Sequence, residues 1–232
     1  MAAVFATTLR GDYREFQAGW DWGGDAILYF SPVIGLGIGS GMINARSTSE
    51  LTYSGLLGSG TMTLKPEVKV VPIRAGLHFA VPMGSLVNLT LYAGAEYHLA
   101  KIKYTKRSEY DSGGWSQEVT EVESKGKIGI VAGLGLEIRL HPNLSLLLEG
   151  RGRYAQIDGF SGNLSHTSSG GAPYVENGDL WYVKINVAPL GTFPFIVLSD
   201  TPPPSDPMFQ DARSARLSLN GFAALGGIMI RL

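Results

Sequence analysis

The sequence predicts an all-β fold, an eight-stranded antiparallel up-and-down β-barrel, on three observations. Apolar and polar residues alternate with period 2 over long segments, short and long connections between those segments alternate in turn, and glycine, counted 31 times, crowds the polar side of the pattern. Runs of strong helix formers are missing, and aromatics make up 10% of the chain. With 44% apolar and 17% charged side chains and no shift of composition along its 232 residues, the chain reads as one domain, 1–232.

The strands follow in order. Ala2 to Arg10 reads as a short or truncated first strand, needed to give an even count. Trp20, Trp22, Ala26, Leu28 and Phe30 then oppose Asp21, Gly23 and Asp25. Ile34, Leu36, Ile38 and Met42 oppose Gly35, Gly37, Gly39 and Gly41, and Val71, Ile73, Ala75, Leu77 and Phe79 oppose Val70, Arg74, Gly76 and His78. The strongest alternation runs from Val87 to Leu99, where Leu89, Leu91, Ala93, Ala95 and Tyr97 face away from Asn88, Thr90, Tyr92, Glu96 and His98. Ile128 to Leu140 and Leu144 to Tyr154 repeat it, and Phe222 to Leu232 closes the set. Several of these segments exceed the roughly 5 to 6 residues of an ordinary strand and reach the roughly 9 to 11 that cross a bilayer.

Connections fix the expected topology. Ser31-Pro32, Val81 to Leu86 and His141-Pro142-Asn143 are tight turns, whereas Asn44 to Thr61, Thr105 to Ser124 and Asp158 to Arg213 read as long polar loops. The longest of these holds an excursion at Leu180 to Val187 and the Pro-rich stretch Thr201 to Pro207, which cannot join a ladder. Strict alternation of short and long connections is the pattern of barrels with periplasmic turns and extracellular loops.

The faces decide what surrounds the barrel. A soluble lipocalin-like barrel would carry its apolar side inward around a ligand. Here the polar side holds Asp21, Asp25, Glu96, Glu137 and Glu149 against Arg74, Arg139, Arg151, Arg153 and Arg231, an arginine-dominated balance that suits enclosed bidentate pairing. The crowded glycines suit a narrow interior. A lipid-facing apolar side is therefore expected, with these ten residues as an ion-pair network in the lumen and His78 and His98 as further lumen-facing polar groups. Trp20, Trp22, Phe30, Phe79, Tyr97 and Tyr154 lie near strand ends, as membrane-interface aromatics do.

The stretches Gly133 to Tyr154 and Asn220 to Leu232 resemble the late strands of small bacterial outer-membrane β-barrel proteins of the OmpA/OmpW type. The resemblance implies a bacterial outer-membrane location and insertion by the barrel-assembly machinery, which recognises the last strand. Such strands commonly end in an aromatic residue, and Leu232 departs from that. The segment Met1 to Ala6 lacks a basic start and a full apolar stretch, so the export signal is expected to have been removed.

Other chemistry finds little support. A net charge of −1 offers no footprint for nucleic acid, and the absence of cysteine excludes disulfides and thiolate sites. Gly35 to Gly41 lies in an alternating strand and opens no helix, so it is packing and not a dinucleotide loop. His78 and His98 have neither a serine in an activating context nor metal-ligand spacing beside them, so we expect no catalytic residues, no metal and no cofactor. The expected role is structural or surface-interacting, as a monomer in the lipid bilayer, with an extracellular partner left open. The alternatives are a narrow channel for small or apolar solutes and, from another class, a soluble ligand-binding barrel.

Overall fold

The computed structural model describes residues 6–12, 19–55, 58–187, 191–204 and 209–231. Its regular structure is all strand. In the half that carries the tight turns these are β2 (Trp20–Tyr29), β3 (Ile34–Arg46), the lower ends of β5 (Gly58–Pro82) and β6 (Val87–Tyr110), β8 (Lys127–His141), β9 (Leu144–Tyr154) and β16 (Gly221–Ile230). The other half adds β1 (Ala6–Asp12), β4 (Ser49–Gly55), β7 (Trp115–Ser124), β11 (Phe160–Ser168), β12 (Tyr174–Val187), β13 (Gly191–Ser199) and β14 (Phe209–Ser214). These form one 14-stranded antiparallel sheet, and β10 (Gln156–Ile157) pairs separately with β15 (Leu217–Ser218).

The half with the tight turns is a meander, paired in the order β2, β3, β5, β6, β8, β9, β16. Serine and proline make the first turn, where the Ser31 hydroxyl accepts the Ile34 N–H at 2.9 Å, and Gly84 takes a φ of 152° in the second. Among the described residues β2 and β16, the ends of this path, do not pair with each other. The sheet is thus open along one seam.

Two sequence expectations need correction. The long connections are not loops. Strand β3 continues as β4, β7 runs into β8 across Lys125-Gly126, and β5 and β6 extend over 25 and 24 residues, so the same columns of strand carry on past the meander. Cross-strand charge explains one of these extensions: Lys101, Lys103 and Lys106 on β6 meet Glu123, Glu121 and Glu118 on β7 at 3.1, 2.6 and 3.3 Å. The excursion expected at Leu180 to Val187 is the second half of β12, laddered to both β13 and β14. The first strand also differs. β1 pairs antiparallel with β4, which puts it above β2 and running in the same direction, rather than beside β2 as a preceding opposite strand. Residues 1–5, 13–18 and Leu232 lie outside the described set.

The faces of the sheet exchange character along single strands. On β6, Leu91, Ala93, Ala95, Tyr97 and Leu99 are exposed while Tyr92, Glu96 and His98 are buried; one residue further, Lys101 is exposed and Ala100 buried. On β5 the exposed Ile73 and Leu77 give way to Lys69, and buried Arg74 gives way to Val70 and Val68. Past this boundary the inner face is an ordinary apolar core of Val68, Val70, Ala100, Val122, Ile157, Phe160, Leu180 and Ala215. Before it, the inner face is polar and the outer face is greasy.

Candidate functional site

The polar inner face of the meander is built by residues of one parity on each strand, so the period-2 geometry of the backbone alone brings them together. Arg74 of β5 lies beneath Asp25 of β2 and pairs with it through two guanidinium nitrogens, the Nη2 to Oδ2 contact being 2.9 Å. Arg153 of β9 donates to Glu96 of β6 at 2.5 Å and reaches Asp21 of β2 at 3.1 Å. Arg151 donates to Glu149 at 2.8 Å, stands 4.0 Å from Asp25, and lies over the Tyr92 ring. Near the tight turns Glu137 of β8 accepts from Asn88 at 2.9 Å and from Arg231 at the end of β16. Because the Arg74–Asp25, Arg153–Glu96 and Arg153–Asp21 pairs join strands that are not neighbours, the sheet must be curled around them.

Glycine makes the room. A Cβ on Gly37 would stand 2.5 Å from His78 Nε2, and one on Gly133 would stand 2.5 Å from Glu149 Oε1. On Gly39 it would meet the Asp25 carboxylate and, at 2.6 Å, the Gly24 carbonyl. Gly37, Gly39 and Gly133 therefore hold space for the polar side chains of His78, Asp25 and Glu149.

Nine of the ten charged residues expected in the lumen enter these pairs. Arg139 does not. It is exposed at the end of β8, beside the turn, because the strand has already left the enclosed region there. His98 is fully buried and meets Glu96 at 3.2 Å, with the Lys127 carbonyl 3.3 Å from its other nitrogen. His78 is separate from it and packs on Tyr92, ring centroids 4.5 Å apart. Of the aromatics, Trp20, Trp22, Phe30, Tyr97 and Tyr154 are exposed and Phe79 is half-buried. They fall at two levels, Phe30 and Phe79 by the tight turns and Trp20, Trp22, Tyr97 and Tyr154 towards the other end of the apolar band.

Chemically, the arrangement is a set of enclosed, mutually paired charges. Each carboxylate of Glu96 and Glu137 is wholly buried and is met by two or more donor groups, the condition under which enclosed charge is tolerated. A recess of about 100 Å³ opens beside Arg151 and Arg153 against Leu219 and Phe222, well below the roughly 300 to 1,000 Å³ of a small-molecule site. Sequence reasoning missed the paired Lys/Glu ladder of β6 and β7. Its signal was present in the matched stretches Lys101 to Arg107 and Gln117 to Glu123, whose alternating charges of opposite sign flank a Gly-Gly turn. No family model, curated protein or solved structure matches this chain, so its class rests on the fold and the site themselves.

Proposed function

We propose that the chain is an integral β-barrel of a bacterial outer membrane with a structural or surface-interaction role, its lumen closed by ion pairs and its far end carrying a β-structured layer outside the bilayer. The observation that carries this reading is the inversion of faces. Over the meander the outer surface is exposed Leu, Ile and aromatic residues and the inner surface is buried Arg, Glu and His, the reverse of a water-soluble barrel. From Leu89 to Leu99 the apolar outer face covers about 34 Å of strand, roughly 24 Å of height at a tilt of about 45°, which matches the apolar band of outer-membrane barrels. Above Leu99 the faces revert to apolar inside and charged outside, as water around the outer surface requires.

An eight-stranded barrel follows if one strand antiparallel to both β2 and β16 fills the seam. The reach of Arg153 on β9 to Asp21 on β2 supports such a closure, because it brings side chains from the two ends of the meander within 3.1 Å of each other across the interior. Unpaired edges in hydrocarbon cost several kcal/mol per group, so closure is demanded by the membrane reading itself. Eight strands leave an interior just wide enough for side chains, and here those side chains are paired across it.

The test is purification of the full chain with and without detergent, followed by electrophoresis of heated and unheated samples. The reading expects a detergent requirement and heat-modifiable mobility; a monodisperse folded protein in plain buffer would overturn it. Planar-bilayer recordings should show no steady conductance, and a stable open level would replace the closed lumen with the channel alternative.

A further inference from the structure

The outer surface changes from apolar to charged within one row of paired residues, and that row is rich in hydrogen-bond donors. Strand pairing sets Trp20, Asn44, Lys69, Lys101 and Glu123 side by side on β2, β3, β5, β6 and β7, directly above the row containing Val71 and Leu99. Trp20, Lys69 and Lys101 are exposed on the outer face. Lys69 and Lys101 are directly opposed, an arrangement that is unfavourable between neighbouring strands unless negative charge offsets it. Lys101 has that offset in Glu123 at 3.1 Å and Glu121 at 3.8 Å. Lys69 has no carboxylate within 4 Å among the described residues, and neither has Arg46, exposed one row further out. The acid closest in register is Glu67, opposite both Arg46 and Lys103.

We propose that Lys69 and Arg46, with the Trp20 indole N–H and the Asn44 amide beside them, bind the phosphate of an anionic membrane lipid whose acyl chains lie along the apolar outer face of β3 and β5. The inference rests on the membrane reading above. Charge complementarity selects the occupant: two cations that meet no carboxylate within 4 Å among the described residues stand at the edge of the greasy band, where a lipid phosphate stands, and Leu36, Ile38, Ile73 and Leu77 continue below them as exposed apolar contact for the chains. A free anion would gain nothing from that apolar strip. On the β6 and β7 side of the same row the lysines are already neutralised by glutamates, so the lipid site is confined to the β3 and β5 side.

The test compares the full chain with R46Q/K69Q, the charge-preserving R46K/K69R, and K106Q/K184Q, which removes the same charge further from the band. Each is placed in phosphatidylcholine vesicles with and without 20 mol% (about one lipid in five) phosphatidylglycerol, and retained phosphatidylglycerol is counted by native mass spectrometry. Wild type, R46K/K69R and K106Q/K184Q should retain phosphatidylglycerol. R46Q/K69Q should bind it roughly thirtyfold more weakly, each lost cation contributing about fivefold. Equal retention by R46Q/K69Q and wild type overturns the inference. Insertion into pure phosphatidylcholine with no preference for phosphatidylglycerol in any variant overturns it while leaving the membrane reading standing, whereas failure of wild type to insert into either vesicle sinks both.

Discussion

Glu96 has no exposed surface and depends on Arg153 and His98 for its partners, so its environment is set by single side chains. Removing one partner leaves an uncompensated enclosed charge. Arg153→Ala is therefore expected to cost about 3 to 5 kcal/mol, read from the urea midpoint of unfolding in detergent micelles, and a change under about 1 kcal/mol would mean that the pairs are not enclosed. Arg139→Ala serves as the contrast, because Arg139 is exposed and outside the pairs, and its midpoint should stay within about 0.5 kcal/mol of the wild type. Gly39→Val tests the space that glycine holds. Its side chain would meet both the Asp25 carboxylate and the Gly24 backbone, so the Asp25–Arg74 pair must break or the strand must move, and heat-modifiable mobility should be lost.

At the scale of elements, the extension of β6 and β7 is a hairpin held on its outer side by lysine and glutamate. Lys103 beside Glu121 holds that carboxyl below its ordinary value of 4.5. The folded form therefore gains stability that is fully present above pH 4.5 and is lost as pH falls through the lower folded value. The pair is well solvated, so its share is below about 1 kcal/mol, and Lys103→Gln should flatten that part of the acid dependence of hairpin protection from proteolysis. Inside the same layer, Phe160→Ala should cost about 3 to 5 kcal/mol while leaving the meander folded, seen as early proteolysis of β11 with the meander strands intact. The meander was legible in the sequence because Leu89 to Leu99 and Ile128 to Leu140 alternate without interruption. The extensions were not, because their alternation carries Lys, Glu, Thr and Ser on one side and looks like loop composition until the two strands are placed opposite each other. β1 was misjudged for a different reason: an even strand count called for a strand beside β2, while its pairing with β4 is a long-range choice that no local pattern in residues 6–12 records.

For the whole molecule, the two halves turn faces of opposite character inward on one set of strands. β5 and β6 pass through both, and the exchange of faces falls between Leu99 and Lys101, where the proposed reading puts the membrane boundary. The charges of the inner face were legible as a set because strand parity fixes which residues share a face, although which acid meets which arginine depends on the curl of the sheet and could not be read from spacing. The chain has no cysteine, so single cysteines can be placed at will. Spin labels at each position from 89 to 103 of β6, in lipid vesicles, should alternate: odd positions through 99 relaxed by oxygen and shielded from a water-soluble nickel complex, even positions shielded from both, and 101 and 103 open to nickel. Nickel access at positions 91, 95 and 99 equal to that at 101 and 103 would place water against the apolar band and contradict the account.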